Sequence, residues 1–378
     1  MGVSLPESDN AILVSIDFGE SDYTESLEEL KLLAETAGVR TLAVVEARRQ
    51  RPDAALFAGS GKVDAIAGLV ERMEGPLVIF NHDLSPAQMR NLTARLHTRV
   101  IDRTMLILDI FAQRAKSHEG KVQVELAQLQ YLSTHLVGMN QDMEQQRHAV
   151  GARGPGETRL ELDRRKLARR VNLLQERLTR LRHHRAVQRR ARQRAEVLSV
   201  SIVGYTNAGK STLFNRLTRS DAYVADQLFA TLDTTSRRMY TGGQDEIVLS
   251  DTVGFIRHLP HTLVAAFRST LEETRQADLL LHVVDFSNAS RDEQIAEVNR
   301  VLAEIGAADI RQVIVCNKID LQERSPAVER DEYGRISRVF LSARTGAGLD
   351  GLRMALLEEQ ASRLSAMRSQ REEQSEQG

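Results

Sequence analysis

The chain has 378 residues, 42% hydrophobic and 27% charged, with a formal net charge of -1, which is enough for two or three domains with separate cores. One cysteine, Cys316, excludes a disulfide framework and suits a reducing compartment, and its place in an apolar strand reads as a buried structural thiol. No apolar run reaches the length of a membrane span, and Met1 to Asn10 lacks a basic start followed by an apolar core. The expectation is a cytoplasmic monomer with no integral membrane segment; peripheral membrane association stays open.

Residues 1–119 alternate strand and helix signals. Ala11–Phe18, Thr41–Ala47, Pro76–Asn81 and Arg99–Asp102 read as strands, and Leu27–Ala37, Val63–Met73, Pro86–Leu96 and Met105–Lys116 as helices. Ser26 with Glu29 reads as a capping box, and Ser85-Pro86 as an N-cap with proline at the first helical position. Such alternation favours a small parallel sheet with helices on its faces. Gly59-Ser60-Gly61-Lys62 looks like a clipped phosphate loop, but Val63 follows where Ser or Thr is needed, so it reads first as a helix-entry turn, with a second nucleotide (ATP) or RNA contact as the alternative.

Residues 120–197 change character. Leu129, Leu132, Leu136, Met139 and Met143 step by three and four, as do Leu167, Val171, Leu174, Leu178 and Leu181. Gly151 to Gly156 interrupts them with residues no helix can cross. An antiparallel helical hairpin with a Gly/Pro-rich tip is expected. Its second helix is crowded with arginines, among them Arg164, Arg165, Arg169 and Arg170. A charge-rich helix is commonly a solvated face, but this one-sign bias favours phosphate contacts, and the near-neutral total does not exclude a polyanionic partner. With Trp absent and aromatics at 4%, base-stacking platforms for single-stranded RNA are disfavoured.

Residues 198–360 alternate strands and helices again, beginning at a complete phosphate-binding loop: Gly204, Tyr205, Thr206, Asn207, Ala208, Gly209, Lys210 and Ser211, followed by Thr212. The strand Leu198–Val203 runs into it and a helix runs out. Backbone N–H groups and the helix N-terminus would cradle a β-phosphate, Lys210 would reach the β/γ-phosphates, and the Ser211 hydroxyl would ligate Mg²⁺. The loop Phe229, Ala230, Thr231, Leu232 and Asp233 offers a Thr hydroxyl to the metal and an N–H to the γ-phosphate. Thr231 is the choice, with Thr234 and Thr235 as rivals. Asp251, Thr252, Val253 and Gly254 end a strand, placing Asp251 near the metal and the Gly254 N–H at the γ-phosphate. Lys210, Thr231 and Gly254 are therefore the catalytic candidates.

Asn317, Lys318, Ile319 and Asp320 end another strand, and the Asp320 carboxylate can accept guanine N1–H and its exocyclic amine, a contact adenine cannot make. Ser342, Ala343 and Arg344 follow a further strand, where backbone N–H groups meet the guanine carbonyl. Four such signals in order, each at a strand end, imply a guanine-nucleotide switch domain on a doubly wound, mostly parallel sheet that binds GTP or GDP. Phe255 stands where Ras-like GTPases place the Gln that orients the attacking water. It is read both as a cause of slow hydrolysis and as an apolar anchor. Beyond Leu364 the composition turns polar, and 361–378 is expected to be a disordered tail.

Arg153-Gly154-Pro155-Gly156-Glu157-Thr158, the phosphate loop, Leu228 to Asp233, and Asp251 to Arg257 together resemble the HflX family, ribosome-associated GTPases of the Obg–HflX group, from about Ala11 to Leu356. The resemblance implies an α/β plus helical-hairpin N-terminal region joined to a Ras-like P-loop GTPase domain. It also implies binding to the large ribosomal subunit, and separation of stalled or stress-arrested ribosomes when GTP is bound. The tip, with Arg153, Gly154, Pro155 and Gly156, would reach toward the peptidyl-transferase region as an rRNA contact. Two departures stand out: Arg159 replaces the Gln common after Glu-Thr, and the chain ends without the extra C-terminal domain of many bacterial members. The rival functions are a GTP-dependent large-subunit assembly switch and an adenine-specific ATPase, the second disfavoured by Asp320.

Overall fold

The computed structural model describes residues 10–139, 159–194, 197–218, 228–233, 235–240, 246–257 and 268–376. The tip residues Arg153–Gly156, Met143 and Thr234 lie outside them. Two compact units divide at Arg180, inside a long helix.

The first unit carries a four-stranded, all-parallel sheet of order β2-β1-β3-β4, built from β1 (Asn10–Asp17), β2 (Arg40–Arg48), β3 (Leu77–Phe80) and β4 (Val100–Ile101). Ala11 to Ile16 are buried without a break, the signature of a strand covered on both faces. The crossover helices are α1 (Tyr23–Thr36), α2 (Ser60–Arg72), α3 (Pro86–Leu96) and α4 (Arg103–Arg114). Ser85 caps α3 in a reciprocal box: its hydroxyl accepts from the Gln88 N–H at 3.2 Å, and its own N–H donates to the Gln88 side chain at 3.0 Å.

The Ser26–Glu29 box does not form. Helix α1 begins earlier, after Asp22, and both residues turn inward. Ser26 Oγ accepts from Asn81 Nδ2 at 3.0 Å, while Glu29 pairs with Arg103 at 2.7 Å, their side chains only 9% and 4% exposed. A buried charge needs its partner more than a helix start needs this cap, so the tertiary contact prevails. Gly59-Ser60-Gly61-Lys62 opens α2 with Gly59 at the N-cap, φ 82°, and Lys62 Nζ donates to the Glu46 carbonyl at 2.9 Å.

Helix α5 (His118–Met139) packs on α3 and α4 and buries Val122, Val124, Leu126 and Ala127, while Leu129 and Leu132 are half-buried. Helix α6 (Arg159–Arg194) buries Leu174 and Leu178 on the stripe expected for it, flanked by half-buried Leu167 and Val171. Arg170 joins Glu125 of α5 at 2.6 Å.

The second unit is a seven-stranded sheet of order β10-β11-β9-β8-β5-β7-β6, with β5 (Leu198–Gly204), β6 (Thr235–Tyr240), β7 (Glu246–Asp251), β8 (Leu279–Asp285), β9 (Gln312–Asn317), β10 (Ala327–Arg330) and β11 (Ile336–Phe340). Only β6 and β10, the two edges, run antiparallel to their neighbours. Helices α7 (Lys210–Thr218), α8 (Arg268–Arg275), α9 (Arg291–Glu304) and α10 (Leu349–Glu376) accompany the strands. The doubly wound, mostly parallel α/β fold expected from the sequence is present.

The polar tail is not irregular: α10 continues to Glu376. Neither Gly nor Pro interrupts residues 353–376, and Arg363, paired with Asp278, and Glu359, paired with Arg311, hold the helix to the sheet well past its buried Leu352, Ala355 and Leu356.

Candidate nucleotide site

The carboxyl ends of β5, β7, β8 and β9 meet at one edge of the second sheet, where a doubly wound fold binds ligands. Gly204 leaves β5 at φ 145°, and a Cβ there would lie 2.2 Å from the Val283 carbonyl oxygen, so only glycine lets the loop turn out beside β8. Gly209, at φ 93°, faces the Asn317 amide so closely that a Cβ there would lie 2.2 Å from Asn317 Nδ2, a clash only glycine avoids. Between them lie buried Tyr205, Thr206 and Ala208 and the exposed Asn207, itself left-handed at φ 59°.

Lys210 is buried at the start of α7, its Nζ donating to the Tyr205 carbonyl at 2.7 Å. Burial pulls its pKa down to about 8, and nearby Asp251 opposes that fall. Three oxygens converge beside it. Ser211 Oγ lies 2.7 Å from Thr231 Oγ1 and donates to Asp251 Oδ2 at 2.7 Å, and Thr231 Oγ1 donates to the same Oδ2 at 3.0 Å. Burial pushes the Asp251 carboxyl above its ordinary range, against the hydrogen bonds and Lys210, which lower it. Its other oxygen, Oδ1, is buried with no hydrogen-bond partner among the described residues. An all-oxygen set of two hydroxyls backed by a carboxylate fits a hard divalent cation such as Mg²⁺. Thr212, Phe229, Ala230, Thr252 and Gly254 complete the wall of the same pocket. Leu232 is buried beneath it and Asp233 is half-buried. Thr252 is fully buried and its hydroxyl donates to the Ile202 carbonyl at 2.7 Å, a support for the strand end. Val253 is buried as well.

At Gly254 a Cβ would meet Thr206 Cγ2 at 2.8 Å and Lys210 Nζ at 3.0 Å, so the switch backbone lies directly on the phosphate loop. Phe255 is fully buried, and its backbone is stitched to the loop: Thr206 N–H donates to its carbonyl at 2.7 Å, and its N–H donates to Gly204 O at 3.2 Å. Of its two expected parts, the anchor is the one the geometry displays.

Where the sequence places the candidate base-reading loops, Asn317 spans two loops, its Nδ2 donating to the Ala208 carbonyl at 2.8 Å and its Oδ1 accepting from the Ala343 N–H at 2.9 Å. Lys318, left-handed at φ 65°, pairs with Asp285 at 2.7 Å. Ile319 is buried; Asp320 Oδ1 is buried without a hydrogen-bond partner among the described residues. Ser342 accepts from the Thr345 N–H at 3.2 Å and Arg344 is exposed. Two groups escaped the sequence reading. Asp285, at the end of β8, could have been found by the strand-end rule applied to the other loops. Arg216 had no such signal: from α7 it donates to the carbonyls of Ala343, at 3.2 Å, and Arg344, at 2.6 Å.

The chain matches three family models: "GTP-binding GTPase N-terminal" over residues 24–112, "GTP-binding GTPase Middle Region" over 114–192 and "50S ribosome-binding GTPase" over 199–318. It is 53% identical over 351 residues to GTPase HflX of Escherichia coli K12, covering 93% of this chain and 82% of that protein. It is 46% identical over 350 residues to GTPase HflX of Caldanaerobacter subterraneus subsp. tengcongensis, covering 93% and 80%. The crystal structure of the SsGBP–GDP complex aligns with a TM-score of 0.51 at 24% identity, over 93% of this chain and 99% of that one, a likeness of fold. These candidate loops thus sit in a chain related over most of its length to GTP-hydrolysing enzymes, and it belongs to the HflX family of GTPases.

Proposed function

We propose that this GTPase binds the large ribosomal subunit from the cytoplasm, as a monomer, and with GTP bound separates the subunits of stalled ribosomes. The observation that carries the reading is the charge of α6. Between residues 164 and 180 stand seven basic side chains (Arg164, Arg165, Lys166, Arg169, Arg170, Arg177 and Arg180), all exposed, against one acid, Glu176. A one-sign surface of that density suits rRNA phosphates. The family model described as a 50S ribosome-binding GTPase, matched by the second unit, supports the same partner. The tip Arg153–Gly156 belongs to this proposal as a further rRNA contact.

In the reaction, water attacks the γ-phosphorus and the bond to the β-phosphate oxygen breaks, giving GDP and phosphate. Lys210 and the loop N–H groups of 204–211 hold the phosphates, and the Gly254 N–H meets the γ-phosphate. Ser211 and Thr231 would hold Mg²⁺, with Asp251 behind them, and the cation would supply charge neutralisation on the phosphate oxygens. Asp320 reads the guanine edge, with Asn317 and Lys318 bracing the loops and Ser342–Arg344 closing the pocket.

The test is sedimentation of intact 70S ribosomes with the protein and a non-hydrolysable GTP analogue. Free subunits are the expected result; 70S particles left intact would overturn the splitting role. A second reading, a large-subunit assembly factor that uses GTP as a binding state, draws on buried Phe255, which offers no polar group to the attacking water. Intact 70S together with tight binding to isolated large subunits would favour it.

A further inference from the structure

The side chain of Tyr205 is a buried phenol in the phosphate loop, 6% exposed, and the reaction outlined above does not use it. The switch segment that leaves β7 at Asp251 comes back alongside this loop and joins it by a single parallel bridge, Tyr205 to Phe255, carried by the two backbone bonds at Gly204 and Thr206. The next amide on the same side belongs to Arg257. It donates to the Tyr205 phenolic oxygen at 2.7 Å, in a buried setting. The phenol thus adds a third rung to a two-rung ladder, a side-chain oxygen taking the amide in place of a backbone carbonyl.

The consequence falls on Gly254. It lies next to the bridged Phe255, and its Cα is so close to Thr206 and Lys210 that no side chain fits. From the other side, Ser211 and Thr231 both bond Asp251, three residues before it. The segment 251–257 is therefore tied at its start by the hydroxyl pair and at its end by the phenol, with the switch glycine between. An apolar residue at 205 could make the backbone bridge but could not accept from Arg257.

We propose that the Tyr205 hydroxyl is a positioning group for GTP hydrolysis: by holding the Arg257 amide it docks the switch segment on the phosphate loop in the triphosphate state. The inference needs only the guanine-nucleotide site, so it stands or falls independently of any ribosomal role. Tyr205→Phe keeps the ring and removes the acceptor. It should weaken binding of a non-hydrolysable GTP analogue about tenfold and lower single-turnover hydrolysis by a similar factor, since a buried N–H loses its partner. GDP affinity should change by less than about twofold, because the docked segment is not required for the diphosphate. A merely structural phenol would weaken both nucleotides alike; that result, or no change for either, overturns the proposal. Amide hydrogen exchange in the unaltered protein gives a second reading that no folding defect can confuse. Arg257 should exchange about tenfold more slowly with the GTP analogue than with GDP, and equal rates would overturn the docking.

Discussion

Lys210 carries two opposing pulls, and their balance has a measurable sign. Burial lowers its pKa to about 8 and Asp251 resists. Above that pH the nucleotide-free protein holds a neutral amine, whereas a bound polyphosphate requires the ammonium form. Binding above pH 8 should therefore take up a proton, with affinity falling toward tenfold per pH unit; below pH 8 this group contributes no uptake. Calorimetry of GDP binding at pH 7 and pH 9, each in two buffers of different ionisation enthalpy, should show about one more proton taken up at pH 9. Equal uptake at both would refute the depressed pKa. Asp320 gives a sharper residue-scale expectation. Its buried Oδ1 has no hydrogen-bond partner among the described residues, and the atoms that would pair with it are those guanine has and adenine lacks. Asp320→Asn should cut the preference for GDP over ADP by about a hundredfold or more in competition binding. An unchanged ratio would remove this residue from base recognition.

At the scale of the element, the switch segment is an apolar anchor with a glycine on top. Phe255 is fully buried, so restoring the Gln of Ras-like enzymes would not place an amide near the attacking water. Phe255→Gln should lose about 2–4 kcal/mol of stability, from a buried amide and lost packing, and should not raise kcat. A faster enzyme would mean that the side chain swings out to the nucleotide. The same segment shows what the sequence could and could not convey. Loop positions such as Asp251–Gly254 and Asn317–Asp320 were legible because each follows a continuous apolar strand, and a parallel sheet aims every strand end at one edge. The hand-offs between loops were not. Arg216 reaches carbonyls 127 and 128 positions away, and Tyr205 reaches an amide 52 positions away. Nothing in local spacing encodes either. Ser26 and Glu29 misled for the opposite reason: their local pattern is sound, but a buried arginine claims one and Asn81 the other. In α10, polar composition suggested disorder, and ion pairs to the sheet supply what the missing apolar stripe would have.

For the whole molecule, a net charge of -1 is the least informative number the sequence offers, because charge is segregated. The seven exposed cations of α6 between 164 and 180 lie on one helix, and the compact division of the chain falls at its Arg180. Periodicity marks a helix but says nothing of which unit its residues pack with. If about six of these side chains meet rRNA phosphates, log K for large-subunit binding should fall against log[salt] with a slope of roughly -4 to -5. Between about 50 and 200 mM salt that amounts to several hundredfold or more. Replacing Arg164, Arg165 and Arg169 together by Gln should flatten the slope by about two to three while leaving GDP affinity untouched, since none of the three belongs to the nucleotide pocket. Filter binding across a salt series, run beside GDP titrations at each salt concentration, separates the two effects. A slope that the triple variant leaves unchanged would move the phosphate contacts off α6, even if the ribosome remained the partner.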